Sequence, residues 1–155
     1  MKKLAFSLLV CLVTYGGTSC IKDVGCQDKT VQSEVAAITA YATANSISGI
    51  THSSGVYYQV TNAGSGPTPT VTSQVSVKYT GKRLDGTVFD SVTGTPVTFG
   101  LGGTIPGFQI ALQLIQKGGV IKFIIPSSLA YGCAGQGNIA GNTILFFEVE
   151  LVDVL

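Results

Sequence analysis

The stretch "VSVKYTGKRLDGTVFDS", Val75 to Ser91, alternates in a way that only a half-buried strand explains. Val75, Val77 and Tyr79 point one way, and Ser76, Lys78 and Thr80 the other. Asp85-Gly86 then supplies a hairpin turn, because both residue types tolerate positive φ. The chain returns through "TVFDS", where Asp90 sits among apolar residues.

Working outward, the same period-2 pattern recurs. "GVYYQVT" (residues 55–61) and "PVTFGL" (96–101) read as strands. In "VIKFIIP" (120–126), Ile121, Phe123 and Ile125 share a face. In "TILFFEVELVDVL" (143–155), so do Leu145, Phe147, Val149 and Leu151. "IPGFQIALQLIQKGG" (105–119) instead has helical spacing, with Phe108, Ala111, Leu112 and Ile115 on one side. Pro106 suits its start and Gly118-Gly119 its end. The expected class is α+β: an antiparallel sheet of about five strands with one short helix laid across it. A second helix is expected upstream, over Thr30 to Ile47, with Val31, Val35, Ile38 and Tyr41 or Ala42 as its packing stripe.

Composition agrees. Of 155 residues only 11% are charged and 20 are glycine, which favours a turn-rich β protein. The opening "MKKLAFSLLVCLVTYGGTSC" has two lysines, a short apolar run and small residues ahead of Cys20, the layout of a secretory signal. It resembles a bacterial lipoprotein signal with "GTSC" as the lipobox and Cys20 as the lipidated residue. The competing reading is an ordinary signal peptide or an uncut anchor. Residues 1–19 are thus expected to be signal, 20–50 spacer and N-terminal helix, and 51–155 the main domain. Loss of the signal leaves seven basic against eight acidic residues, turning +1 into −1. Nothing in that balance points to nucleic acid.

Little in the sequence supports covalent or metal chemistry. The single histidine, His52, lies in the turn "THSSG", and there is no G-x-S-x-G elbow. Four cysteines show no C-x-x-C spacing, so no metal site is expected. "GLGGT" lacks the Lys-Ser/Thr of a phosphate loop. Glu148 and Glu150 lie on the strand face opposite Phe147. What remains is a set of inward aromatic and aliphatic side chains, which spacing alone would assign to a plain core.

The ordered set "VSVKYTGKRLDGTVFDS", "IPGFQIALQLIQKGG", "IIPSSLAYG" and "LFFEVEL" resembles the FKBP-type peptidyl-prolyl cis/trans isomerases over about two-thirds of the chain. The resemblance implies a strongly twisted sheet wrapped around one short helix. It implies a proline pocket made by Tyr79, Phe89, Asp90, Val97, Phe99, Ile105, Phe108, Tyr131, Ile139 and Phe147. Phe108 stands where the family most often has Trp and would form the floor. The Tyr131 hydroxyl and the Ile139 backbone N–H would bind substrate carbonyls, and Asp90 would orient the polar edge. Implied partners are proline-containing segments of exported proteins, and a macrolide as a pocket ligand. Val97 falls where many members have an aromatic wall, and "IAGN" (139–142) replaces the family's "IPPN". No cofactor is implied. A chaperone-like binding module with little catalysis is the competing function, and a lipid-anchored structural protein a third.

Cys11 would leave with the signal and Cys20 would be acylated, so Cys26 and Cys133 remain as an even pair in an oxidising compartment. A bridge between them is expected. Two free thiols are the rival.

Overall fold

The computed structural model describes residues 25–155, so the expectations for the signal and Cys20 lie outside the described residues. Its six strands form a single antiparallel sheet. They are β1 (Ile50–Thr51), β2 (Tyr57–Asn62), β3 (Gln74–Arg83), β4 (Val88–Gly100), β5 (Val120–Ile125) and β6 (Leu145–Val154), ordered β1-β2-β5-β6-β3-β4. Helix α1 (Val31–Ala44) precedes the sheet, and α2 (Pro106–Leu112) connects β4 to β5.

The hairpin of β3 and β4 turns where the sequence places it. Gly86 has φ +87°, Thr87 N–H donates to Asp85 Oδ1 at 2.8 Å, and Arg83 N–H to Thr87 O at 2.9 Å. The sequence suggests two short pieces on the return, "TVFDS" and "PVTFGL". The structure makes one strand, interrupted by a bulge: Val77 faces Val97 but Tyr79 faces Val92. The extra residues bend β4 and curl the sheet. The other strand missed in the sequence is β1, two residues too short to carry a period.

The inner face carries the main core. Val75 and Val77 of β3, Ile121, Phe123 and Ile125 of β5, and Leu145, Val149 and Leu151 of β6 are fully buried. Phe108, Ala111, Leu112 and Ile115 cover them, as their helical spacing predicts. The regular helix ends at Leu112, earlier than the Gly118-Gly119 pair. Gly81 sits beneath the aromatic part of this core. A Cβ there would fall 2.6 Å from Phe89 and 2.9 Å from Phe147, so a larger residue would displace both rings.

Helix α1 is capped by Thr30, whose hydroxyl accepts from Ser33 N–H at 3.3 Å, and closed by Asn45, whose amide donates to Tyr41 O. Its buried side differs from the expected stripe. Glu34, Ile38 and Ala42 are buried, one turn apart, while Val35 is 39% exposed. The helix is rotated because its partner is the outer face of the sheet. Ile38, Ala42 and Ile47 pack on Ile124 and Phe146, and Tyr41 meets Phe146 ring to ring at 5.6 Å. Off the helix, the same outer face is charged, with Lys78 paired to Glu150 and Lys122 to Glu148.

Candidate active site

A cavity of about 270 Å³ opens over the inner face, between the curled end of β4, the start of α2 and the loop after β5. Tyr79, Phe89, Asp90, Phe99, Ile105, Phe108, Tyr131 and Phe147 line it, together with Gly103 and Thr104. Eight of these ten were picked from sequence. Gly103 and Thr104 were not, because the short helical turn Leu101–Gly103 that presents them shows no periodicity.

Phe108 is the centre of the aromatic cluster. Its ring lies 5.4 Å from Phe147, 5.6 Å from Phe123 and 6.4 Å from Tyr79, each close to edge-on, and 6.1 Å from Phe99 at a tilt. Edge-to-face contacts at such distances add to simple burial and fix ring orientation. The floor is therefore a rigid apolar plate. Pro106 at the first turn of α2 presets φ there.

The polar groups are few and sit at the rim. Tyr79 hydroxyl donates to Asp90 Oδ2 at 2.5 Å. Burial raises the Tyr79 pKa above the ordinary tyrosine value, and the bond to Asp90 raises it further. Burial also raises that of Tyr131, with the Asp90 charge adding to it. Both hydroxyls thus keep their protons at any ordinary pH. Tyr131 hydroxyl has no hydrogen-bond partner among the described residues, so its donor is free to serve a ligand.

Two expected pocket residues lie elsewhere. Val97 is 37% exposed on β4 and is not part of the lining, so it adds no wall to the cavity. Ile139 is buried, but its side chain packs in the core and its N–H donates to Gln136 O at 2.8 Å. That amide is committed to a turn and is not offered to the cavity. Ile105 is the better-placed amide: it lines the cavity, precedes α2, and its N–H has no acceptor among the described residues. Sequence reasoning had a signal for it, since the residue before an N1 proline leaves its own N–H outside the helix.

Cys26 and Cys133 are bonded, with Cα atoms 5.4 Å apart. The bond lies beside the cavity loop and provides no group to the cavity itself. Among the described residues there is no cluster of three metal-ligating side chains, and no helix is long and apolar enough to cross a membrane.

Comparison with known proteins points one way. Residues 66–152 match the family model of the FKBP-type peptidyl-prolyl cis-trans isomerase. The chain is 47% identical over 106 residues to the FKBP-type peptidyl-prolyl cis-trans isomerase FkpA of Escherichia coli K12, covering 67% of this chain and 39% of that protein. It is 46% identical over 105 residues to the FKBP-type 22 kDa isomerase of the same strain, covering 66% of this chain and 51% of that one. This chain therefore spans well under two thirds of either relative. Among solved structures, Escherichia coli FkpA superimposes with a TM-score of 0.69 at 40% identity, covering 80% of this chain and 62% of that one. A peptidyl-prolyl cis-trans isomerase from Pseudomonas syringae pv. tomato superimposes with 0.68 at 31% identity, covering 83% and 98%.

Proposed function

The chain belongs to the FKBP-type peptidyl-prolyl cis-trans isomerases, and on that premise we propose that it accelerates rotation about X-Pro bonds in exported polypeptides. The observation that carries the reading is the pairing of an apolar floor, Phe108, with the unpartnered Tyr131 hydroxyl at the rim of one cavity.

The chemistry needs neither nucleophile nor metal. X-Pro rotation is slow because it breaks amide resonance, a barrier of ~18–20 kcal/mol. The twisted amide is less delocalised and less polar than the planar one. A water-poor aromatic cavity disfavours the planar dipole relative to it, and this difference in binding is what lowers the barrier. The proline ring sits on Phe108 between Tyr79, Phe99 and Phe147. Tyr131 hydroxyl donates to a substrate carbonyl, and the Ile105 N–H takes the donor role that the sequence suggests for Ile139. Asp90 holds Tyr79 and gives the rim its negative edge.

The test is a cis/trans assay on X-Pro peptides. Acceleration by the wild type that falls with Phe108→Ala supports the reading, and no acceleration sinks it. The missing wall at Val97 favours a second reading, a chaperone-like module that holds extended segments. That reading predicts suppressed aggregation of a proline-free client with no isomerase activity. A macrolide is a further candidate ligand for the same cavity, and competition of one against the peptide substrate tests it.

The N-terminal "GTSC" supports export and a lipid anchor on Cys20, holding the domain at a membrane in the cell envelope. Mass spectrometry of the mature protein decides it: an acylated Cys20 is expected, and an unmodified one overturns the anchor. The Cys26–Cys133 bond fits the oxidising compartment this implies. Alkylation of the denatured, unreduced protein is expected to find neither thiol.

A further inference from the structure

Tyr131 sits in a loop with little regular structure of its own, and that loop is gripped on one side by Glu34 in the first turn of α1 and on the other by the segment before the helix. Four residues before Tyr131, Ser127 is fully buried. Its N–H donates to Glu34 Oε2 at 2.7 Å and its hydroxyl to Glu34 Oε1 at 2.8 Å. Two residues after Tyr131, Cys133 is bonded to Cys26, and its N–H donates to Asp28 Oδ1 at 2.7 Å. Further along, the Asn142 side chain accepts from Lys29 N–H and donates to Gln27 O, both at 3.1 Å. Between these anchors Gly132 takes φ +57°, and a Cβ there would lie 2.6 Å from Asp28 Oδ1.

Glu34 is the unusual member. It is 2% exposed, on a helix face where the other buried residues are Ile38 and Ala42. An apolar residue would fill such a position at less cost, since a buried carboxylate must have its hydration replaced. Here both oxygens are spent on one residue, Ser127, across 93 positions of sequence. A two-point bond fixes direction as well as distance.

We propose that the segment Cys26–Glu34 is a clamp that sets the position of Tyr131, with Glu34 and Asp28 as positioning residues for the isomerase reaction. Neither touches the cavity. They act through the loop, so that the hydroxyl of Tyr131 meets the substrate carbonyl without first having to be ordered. The disulfide makes one side of the clamp permanent in oxidising surroundings. The kinetic part of this proposal rests on the isomerase reading, and the structural part does not.

The experiment is a double-mutant cycle on the full chain, with Glu34→Gln, Tyr131→Phe and both, read as kcat/KM on an X-Pro peptide. Gln keeps the shape but removes the charge that strengthens both bonds, and its amide nitrogen can meet the Ser127 hydroxyl only as a donor. Glu34→Gln is expected to cost about threefold in the wild-type background and less than about 1.5-fold once the Tyr131 hydroxyl is gone. Equal losses in both backgrounds, or none in either, overturn the positioning role. A second readout does not depend on activity. Amide hydrogen exchange over 127–134 is expected to speed up about tenfold in Glu34→Gln, with the centres of β5 and β6 unchanged. Unchanged loop exchange overturns the clamp even if the protein is no isomerase. Should Glu34→Gln not fold, Ser127→Ala and the reduced wild type serve in its place. In the latter, dithiothreitol gives two electrons and two protons to the Cys26–Cys133 bond and is itself oxidised to its cyclic disulfide. Faster exchange at 131–134 is expected in both, and no change in either overturns the proposal.

Discussion

The two faces of the sheet come from the same strands but are put to different uses. On β6, neighbouring residues Phe146 and Phe147 point to opposite sides. Phe147 joins Phe108, Phe89 and Tyr79 in a cavity that stays open. Phe146 is buried beneath α1 with Ile124. The inner face therefore keeps aromatic surface available to a ligand, while the outer face uses it up in packing. The difference lies in what covers each face. Helix α2 has seven residues and leaves the cavity open beside it, whereas α1, with fourteen, packs on Ile124 and Phe146.

The largest effect that tests this contrast is Phe108→Ala. It should cost ~3–5 kcal/mol in urea unfolding and lower kcat/KM by more than about tenfold, because the floor of the cavity goes with the core. Full activity in that variant would break the comparison at once. Phe146→Ala should be nearly as costly to stability, ~3 kcal/mol. Its kcat/KM should drop no more than about threefold, because only the seat of α1 is disturbed. Matching activity losses in the two variants would mean the faces are not functionally separate.

Tyr131→Phe is a smaller change, about fivefold in kcat/KM with stability nearly unchanged, since one hydrogen bond to substrate is at stake. The same donor can be tested by pH. Burial and the nearby Asp90 hold the Tyr131 pKa above its ordinary value of about 10. A raised pKa means the protonated form is the one the fold prefers. Its contribution is whole below pH ~10 and is lost as pH rises through the folded value. Activity limited by this proton should therefore stay flat from pH 7 to about 10, and a decline centred on a lower pH would remove Tyr131 as the donor. The smallest effect is expected on the charged part of the outer face. Removing both Lys78 and Glu150, 3.8 Å apart and half exposed, should change stability by less than about 1 kcal/mol. A larger loss would show that this part of the face is more than a solvated surface.

Much of this was legible in the residues because one face of each central strand is continuously apolar. Val75-Val77-Tyr79 and Leu145-Phe147-Val149-Leu151 could face only a core, and the hairpin at Asp85-Gly86 joins the first of these strands to β4. Whether α1 packs on the sheet was not read from the sequence, although it left a trace there. Ile124 and Phe146 break the alternation in "FIIP" and "LFFE", and an apolar residue on the wrong side of a strand requires a cover. Rotation of the helix could not be foreseen, because it buries Glu34, a charged residue whose two oxygens both accept from Ser127. The same limit applies to the site. Aromatic positions followed from strand register, whereas Gly103, Thr104 and the Ile105 N–H depend on the path of a loop. The Ile139 N–H failed as a candidate for a related reason: a single turn bond to Gln136 decides its fate, and no spacing encodes that bond.

One feature of the topology also fixes an order of events. Strand β6 lies between β5 and β3, and no other strand joins those two halves of the sheet. Synthesis runs from the N-terminus, so β6 is the last of the six strands to emerge. Until it does, β1-β2-β5 and β3-β4 cannot join into one sheet, and Phe147 is missing from the aromatic cluster. Cys26 and Cys133 both precede it and can meet earlier. The sheet, and with it the cavity, is complete only once β6 lies between these two halves. Such late, long-range pairing is slow, so a protein proposed to hasten the folding of others must itself wait for its last strand.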